Sequence, residues 1–318
     1  MMCGGSNIKR SISVMAAVVI SITSLIPVQV FAVSAVNKER KEIIVKYRDE
    51  SESSKEKVKN NLRLKLKPQK LQKKNAIDVN GSKLEIIEMG ENDDIKAMAE
   101  KMSKEPDIEF AVPNHKIKLQ PEVNKTLSRS FTSQVFKPQD PMFNLQWGLK
   151  NTGQDIDGQK GIPGIDINVM KAWQITKGSP DVVVGVLDTG IDISHQDLKK
   201  NIFVNKAEIP NNGIDDDKNG YVDDVNGWDF ANDDKTVFDD EYLDAHGTHV
   251  TGIIAADDDK TGIIGVAPDV KVLPLKFIEA EGLVSDVIEA IEYGKKMGVK
   301  IFNCSWAMED YNKALELK

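Results

Sequence analysis

From Asp140 onward, short apolar runs rich in β-branched residues take turns with helical stretches, and this alternation limits the possible folds more than any other feature of the chain. The runs cover residues 182–187 (VVVGVL), 271–275 (KVLPL) and 301–303 (IFN), and the helical patterns lie at 248–256 and 286–297. A strand that is apolar on both faces has to be covered on both. The pattern therefore predicts an α/β three-layer sandwich around a mainly parallel sheet. Residues 36–120 have a different texture. Strand-like runs at 43–47, 84–89 and 108–112 alternate with helical patterns at 54–66 and 93–102, and 116–119 offers a last strand. This β-α-β-α-β order predicts a small α+β, ferredoxin-like unit with both helices on one face, Asp93 capping the second helix.

Between these parts, residues 121–139 are polar and aperiodic, which marks a linker exposed to proteolytic cutting; the second unit then runs over 140–318. At the other end, Lys9 and Arg10 precede an apolar run over 12–30, followed by small residues at Ala32 and Ala35. Serines, Pro27 and Gln29 dilute the run, so residues 1–35 are expected to be a cleaved signal peptide rather than a stable membrane anchor, and the protein to be secreted. Cys3 then leaves with the leader and Cys304 stands alone, excluding an intrachain disulfide. A secreted chain without disulfides is held by core packing or by metal. The charge distribution points the same way. Residues 188–259 carry nineteen acids against five bases, in a chain of net charge -8. Such a stretch favours cations and excludes nucleic acid as a partner.

Two side chains carry candidate chemistry. Asp188 follows the 182–187 strand in VVVGVLDTGID, at the carboxyl end where open parallel sheets gather their ligands. Taken alone, an Asp there is also a common turn former or helix cap. His246, in AHGTHVTGIIAA, stands where a helix begins and would serve as a general base if a carboxylate oriented its other nitrogen. His249 lies three residues on, but zinc helices space their histidines four apart with Glu between, so His249 is assigned to packing.

Together the strings LDTGID, HGTHVTGIIAA and GIIGVAPDVKVLPLKF resemble the subtilase family of serine proteases, in the family order of Asp before His. The resemblance implies that Asp188 orients His246 and that His246 takes the proton of a serine nucleophile, so that protein or peptide substrates are hydrolysed. It implies that Ser305, in IFNCSWA, belongs to a segment that pairs with extended substrate, with Ala307 where relatives usually have Gly. Residues 36–120, ending in FAVPNHKIKL, resemble the family's inhibitory propeptide, which makes the chain's own propeptide its first partner. The family also needs an oxyanion Asn and a Ser in a G-T-S-M-A type string, and residues 1–318 contain neither. These residues alone are expected to be inactive. The alternative is a non-enzymatic protein that inhibits or chaperones a protease through its propeptide-like part.

The string DDDKNGYVDD places Asp215, Asp217, Asn219, Tyr221 and Asp223 at positions one, three, five, seven and nine of a calcium-loop pattern, with Gly220 at the bend. Position twelve is Asn226 rather than Glu, and Asp224 is the candidate substitute. Such strings occur in calcium-binding insertions of subtilases. A second Ca²⁺ site is implied by the resemblance alone, through Asp197 and the 257–263 loop with Asp259.

Overall fold

Alternate residues of strand β1 (Glu42–Tyr47) serve two different cores, and this sets the layering of the N-terminal half. Ile43, Val45 and Tyr47 pack with Val58 and Leu62 of helix α1 (Glu52–Leu66). Strands β2 (Leu71–Val79) and β3 (Ser82–Met89), helix α2 (Ile95–Met102) and strand β4 (Ile108–Pro113) complete an antiparallel sheet of order β2-β3-β1-β4, with Ala99 and Met102 of α2 in the same core. Ile44 faces the other way, beside Ile77, Ile86 and Phe110. The computed structural model describes residues 40–119, 138–156, 158–308 and 310–317, and these residues form one compact unit. The expected leader, 1–35, and all but the end of the expected linker, 121–139, lie outside the described residues.

Two features of this half differ from the sequence expectation. Strand β2 is additional: Asn80 and Gly81, at φ 52° and 82°, make the two-residue turn that folds it onto β3. The cap of α2 is Asp94, whose side chain accepts from the Ala97 amide, while Asp93 accepts from the Gly90 and Gln69 amides. Asp93 thus closes the loop before the helix, and its neighbour satisfies the helix's first free N–H groups.

A short strand β5 (Lys116–Leu119) leaves this sheet and pairs elsewhere. The chain resumes with a minor hairpin, β6 (Asp155–Ile156) and β7 (Gln159–Lys160), and a single helical turn, α3 (Val169–Ala172). Then follow β8 (Val183–Asp188), β9 (Trp228–Asp229), α4 (Ala245–Ala255), β10 (Lys271–Lys276), β11 (Gly282–Leu283), α5 (Val284–Lys296), β12 (Ile301–Cys304) and β13 (Trp306–Ala307). Strands β12-β8-β10-β9 form a parallel sheet in that order. Its two faces are covered as the alternation requires. Val184, Val186 and Val272 pack with Ala255 at the end of α4, and Leu187, Leu273 and Leu275 pack with Val287, Ala290 and Tyr293 of α5. The α/β sandwich and its preceding α+β sheet are therefore both present. Helix α5 has a second neighbour, because its core is continuous with Ile44, Ile77 and Phe110 of the N-terminal sheet.

Candidate functional site

Asp188 is the last residue of β8 and is fully buried, while His246 lies in the first turn of α4 with its side chain 16% exposed. Their side chains meet at 2.6 Å, His246 Nδ1 to Asp188 Oδ1. The sequence expectation started the helix at 248; the structure begins it at Ala245, which brings His246 inside the helix and fixes its backbone. Glycine makes the approach possible. A Cβ on Gly247 would lie 2.2 Å from the Gly190 carbonyl oxygen, so no larger residue fits between strand end and helix start. The Gly247 amide also donates to Thr189 Oγ1 at 3.1 Å, and the Thr189 amide donates to Asp188 Oδ1 at 2.8 Å. Burial pushes the Asp188 carboxyl up from its ordinary value, and the hydrogen bond to His246 opposes that shift.

A carboxylate only accepts, so the 2.6 Å contact puts a proton on Nδ1 and leaves the Nε2 lone pair available to take another. That is the arrangement a general base needs. Ser305 follows β12, and its Oγ accepts from Asn303 Nδ2 at 2.9 Å. The next two residues form β13, which pairs antiparallel with β5: Trp306 opposite Leu119, Ala307 opposite Lys118. On its other edge β5 pairs with β11, Ile117 opposite Gly282 and Lys116 opposite Leu283. An extended segment of the N-terminal half is thus laid between two short strands of the C-terminal half. Ile117 is fully buried there.

Two groups of carboxylates lie apart from this pair. In the first, Glu208, Asp215 and Asp217 bring one oxygen each within 4.8 Å of the others. Asp217 Oδ2 and Asp224 both accept from the Asn205 and Asn219 side-chain amides, and burial raises the Asp224 carboxyl. Asn219 turns its Oδ1 to the Tyr221 amide. Tyr221 sends its ring into an aromatic cluster with Trp228, Phe230 and Tyr293, which leaves only its carbonyl for a cation. Asp223 is directed elsewhere, to Lys235 at 2.8 Å and the Asn212 amide. Glu208 was not legible in the loop pattern because it precedes the loop by seven residues; its carboxylate accepts from the Asp216, Asp217 and Asp223 amides and organises the turn from outside.

In the second group, Asp140 and Asp197 are buried, and Asp140 Oδ2 and Asp197 Oδ1 have no hydrogen-bond partner. Their other oxygens accept from the Lys260 and Ile263 amides of one loop. Burial raises both carboxyls, and Asp259 and Asp140 raise Asp197 further. Buried carboxylate oxygens without donors are costly unless a cation faces them, so this donor set fits a hard divalent ion. Asp140 was missed in the sequence because it stands alone, far from the residues it joins. Asp259 is exposed, and its Oδ1 accepts from the Thr261 amide.

Comparison with known proteins places the chain among relatives. Residues 179–316 match the model of the subtilase family, and residues 31–114 match that of the fervidolysin N-terminal prodomain. Subtilisin-like protease 1 of Plasmodium vivax is 35% identical over 190 residues, covering 58% of this chain and 28% of the relative. A thermophilic serine proteinase of Bacillus sp. (strain AK1) is 27% identical over 239 residues, covering 74% and 45%. The chain therefore spans less than half the length of these relatives. Among solved structures, the Aeromonas sobria serine protease in complex with its chaperone aligns with 57% of this chain and 28% of its own, at 27% identity and a TM-score of 0.43. Residues 179–316 therefore belong to the subtilase family, and residues 31–114, ahead of the α/β sandwich, to a prodomain of the fervidolysin type.

Proposed function

We propose that these residues are the prodomain and the Asp–His part of a secreted, calcium-dependent serine endopeptidase, with Asp188 and His246 as two members of its triad. The observation that carries the reading is the 2.6 Å contact between a buried strand-end carboxylate and an imidazole in a helix's first turn. In this reading His246 Nε2 accepts the proton of a serine hydroxyl as that oxygen attacks the peptide carbonyl, and returns it to the leaving amine. Asp188 holds the Nδ1–H tautomer and stabilises the imidazolium that forms. Neither the nucleophile nor the oxyanion Asn has a matching string in residues 1–318, so both are assigned to further sequence of the same protein.

Substrate would enter as an added strand between Gly282–Leu283 and the segment after Ser305, the place that β5 takes in the present chain. The prodomain acts as an intramolecular inhibitor by filling that place. Processing falls within 121–139 and the leader 1–35 directs export, with 36–120 and 140–318 as the two domains. No helix among the described residues is long and apolar enough to cross a membrane. For Ca²⁺, Asp140, Asp197 and Asp259 form one set, and Glu208, Asp215, Asp217, Asn219, Asp224 and the Tyr221 carbonyl the other, with Asp223 holding the loop through Lys235. Bound there, the ion supplies charge that holds loops in place, away from the reacting atoms.

In the protein carrying its downstream sequence, His246→Ala is expected to abolish peptide hydrolysis and labelling by a fluorophosphonate probe. Undiminished hydrolysis would remove the assignment. Residues 1–318 alone are expected not to label.

A further inference from the structure

Lys276 closes β10 directly opposite Asp188 in the parallel register, and its side chain is 1% exposed. Its ammonium contacts Asp239, Asp244 at 3.1 Å and Asp229 at 3.7 Å. A buried ammonium is costly unless paired and hydrogen-bonded, so a lysine here is tolerated only because these acids surround it. Burial alone would lower the Lys276 pKa, but the hydrogen bonds to Asp239 and Asp244 together with the charges of Asp244 and Asp229 raise it, which keeps the charge in place.

Each of the three acids belongs to a different piece of the path to His246. Asp229 ends β9, Asp239 lies midway, and Asp244 immediately precedes α4. Asp244 Oδ2 accepts from the Asp239 and Asp240 amides at 2.6 and 3.2 Å, while the Asp244 carbonyl accepts the helical Thr248 amide at 3.2 Å. Its carboxylate also abuts the turn that follows Asp188: a Cβ on Gly190, at φ 131°, would lie 2.6 Å from Asp244 Oδ1. One carboxylate is thus held between the ammonium of β10, the amides of its own loop and the backbone leaving β8. Asp229 and Asp239 approach one another, with Glu279, closely enough to hold a metal ion, yet both lie against the Lys276 ammonium.

We propose that Lys276 is a positioning residue for the Asp188–His246 pair: an internal cation that gathers the 229–244 segment and fixes the first turn of α4, so that His246 meets Asp188. The inference rests on the reading of Asp188 and His246 given above.

The test uses the full 318-residue chain and proton NMR. A short Nδ1–H to carboxylate hydrogen bond gives a far-low-field ring N–H resonance, identified as the signal that His246→Ala removes; if the wild type has no such signal, the pairing itself has failed and not the role of Lys276. Lys276→Met is expected to lose the resonance while far-UV circular dichroism and a cooperative melt show the chain still folded. Lys276→Arg, which keeps a cation, is expected to retain it. Should Lys276→Met fail to fold, Asp244→Asn keeps an acceptor for the two loop amides but removes the ion pair, and it is expected to lose the resonance as well. An unchanged resonance in a folded Lys276→Met or Asp244→Asn variant overturns the proposal, as does its loss in folded Lys276→Arg and Lys276→Met alike.

Discussion

At Asp188 burial and a hydrogen bond pull in opposite directions. Burial favours the protonated acid, and His246 favours the carboxylate. Asp188→Asn would keep the shape of the site but allow the ring the opposite tautomer, so hydrolysis by the complete enzyme is expected to fall by about 10⁴-fold while the fold is retained. A second carboxyl offers a test by pH. Asp286, in the first turn of α5, is pushed up to about 7, chiefly by burial, with Glu289 and Glu42 adding to the shift and Ser285 opposing it. A group whose folded pKa exceeds its unfolded one binds more protons in the folded state, so its contribution is full below about pH 4 and is lost as pH rises through about 7. Asp286→Asn is accordingly expected to raise stability at pH 8 by up to about 4 kcal/mol and to do little at pH 4, as read from denaturant melts. Asp188 and His246 were legible in the sequence because each stands in a string that shows its element. Asp286 showed only as the start of a helical pattern, since its environment is assembled from residues of both halves.

Among the elements, β5 shows best how little a four-residue segment reveals in isolation. KIKL reads as a strand, but nothing in it says that its partners are Gly282–Leu283 and Trp306–Ala307 rather than the sheet it follows. Ile117 anchors it, fully buried within a core that includes Phe277 and Val284. Placing a carboxylate there would leave a buried charge without a partner, at a cost of several kcal/mol. Ile117→Asp is expected to release β5, seen as hydrogen exchange at the Gly282 and Ala307 amides at least about ten-fold faster while β1 and β3 stay protected. Strand β2 was missed for a different reason. Its residues LQKKNAIDV carry too few apolar positions to show a period of two, and only the Asn80–Gly81 turn announces it. The start of α4 fell three residues early because Ala245, His246 and Gly247 carry no helical pattern; the tie from Asp244 to Lys276 and the contact with Gly190 hold them.

For the whole molecule, cohesion rests on packing across the two sheets. Among the described residues the one cysteine, Cys304, is a free thiol. If Asp140 and Asp197 hold a calcium ion, chelation removes about 3 to 4 kcal/mol per site when the free ion had stood at 100 to 1,000 times its dissociation constant. Calorimetry with and without EDTA is expected to show the melt falling by several degrees, and Asp197→Asn is expected to remove the share of that difference owed to the Asp140–Asp197 site. An EDTA-insensitive melt would count against the site.

What the sequence determined by itself is local: which runs are strands, which are helices, that the second sheet is parallel and covered on both faces, and where one Asp and one His sit on their elements. These follow from periodicity and side-chain type, which act over a few residues. Tertiary structure alone decided the 2.6 Å meeting of Asp188 with His246, the recruitment of Asp140 and Glu208, the place of β5 and the burial of Lys276 among three acids. Those depend on contacts between residues far apart in the chain, whose strength is set by burial and geometry that no short window contains.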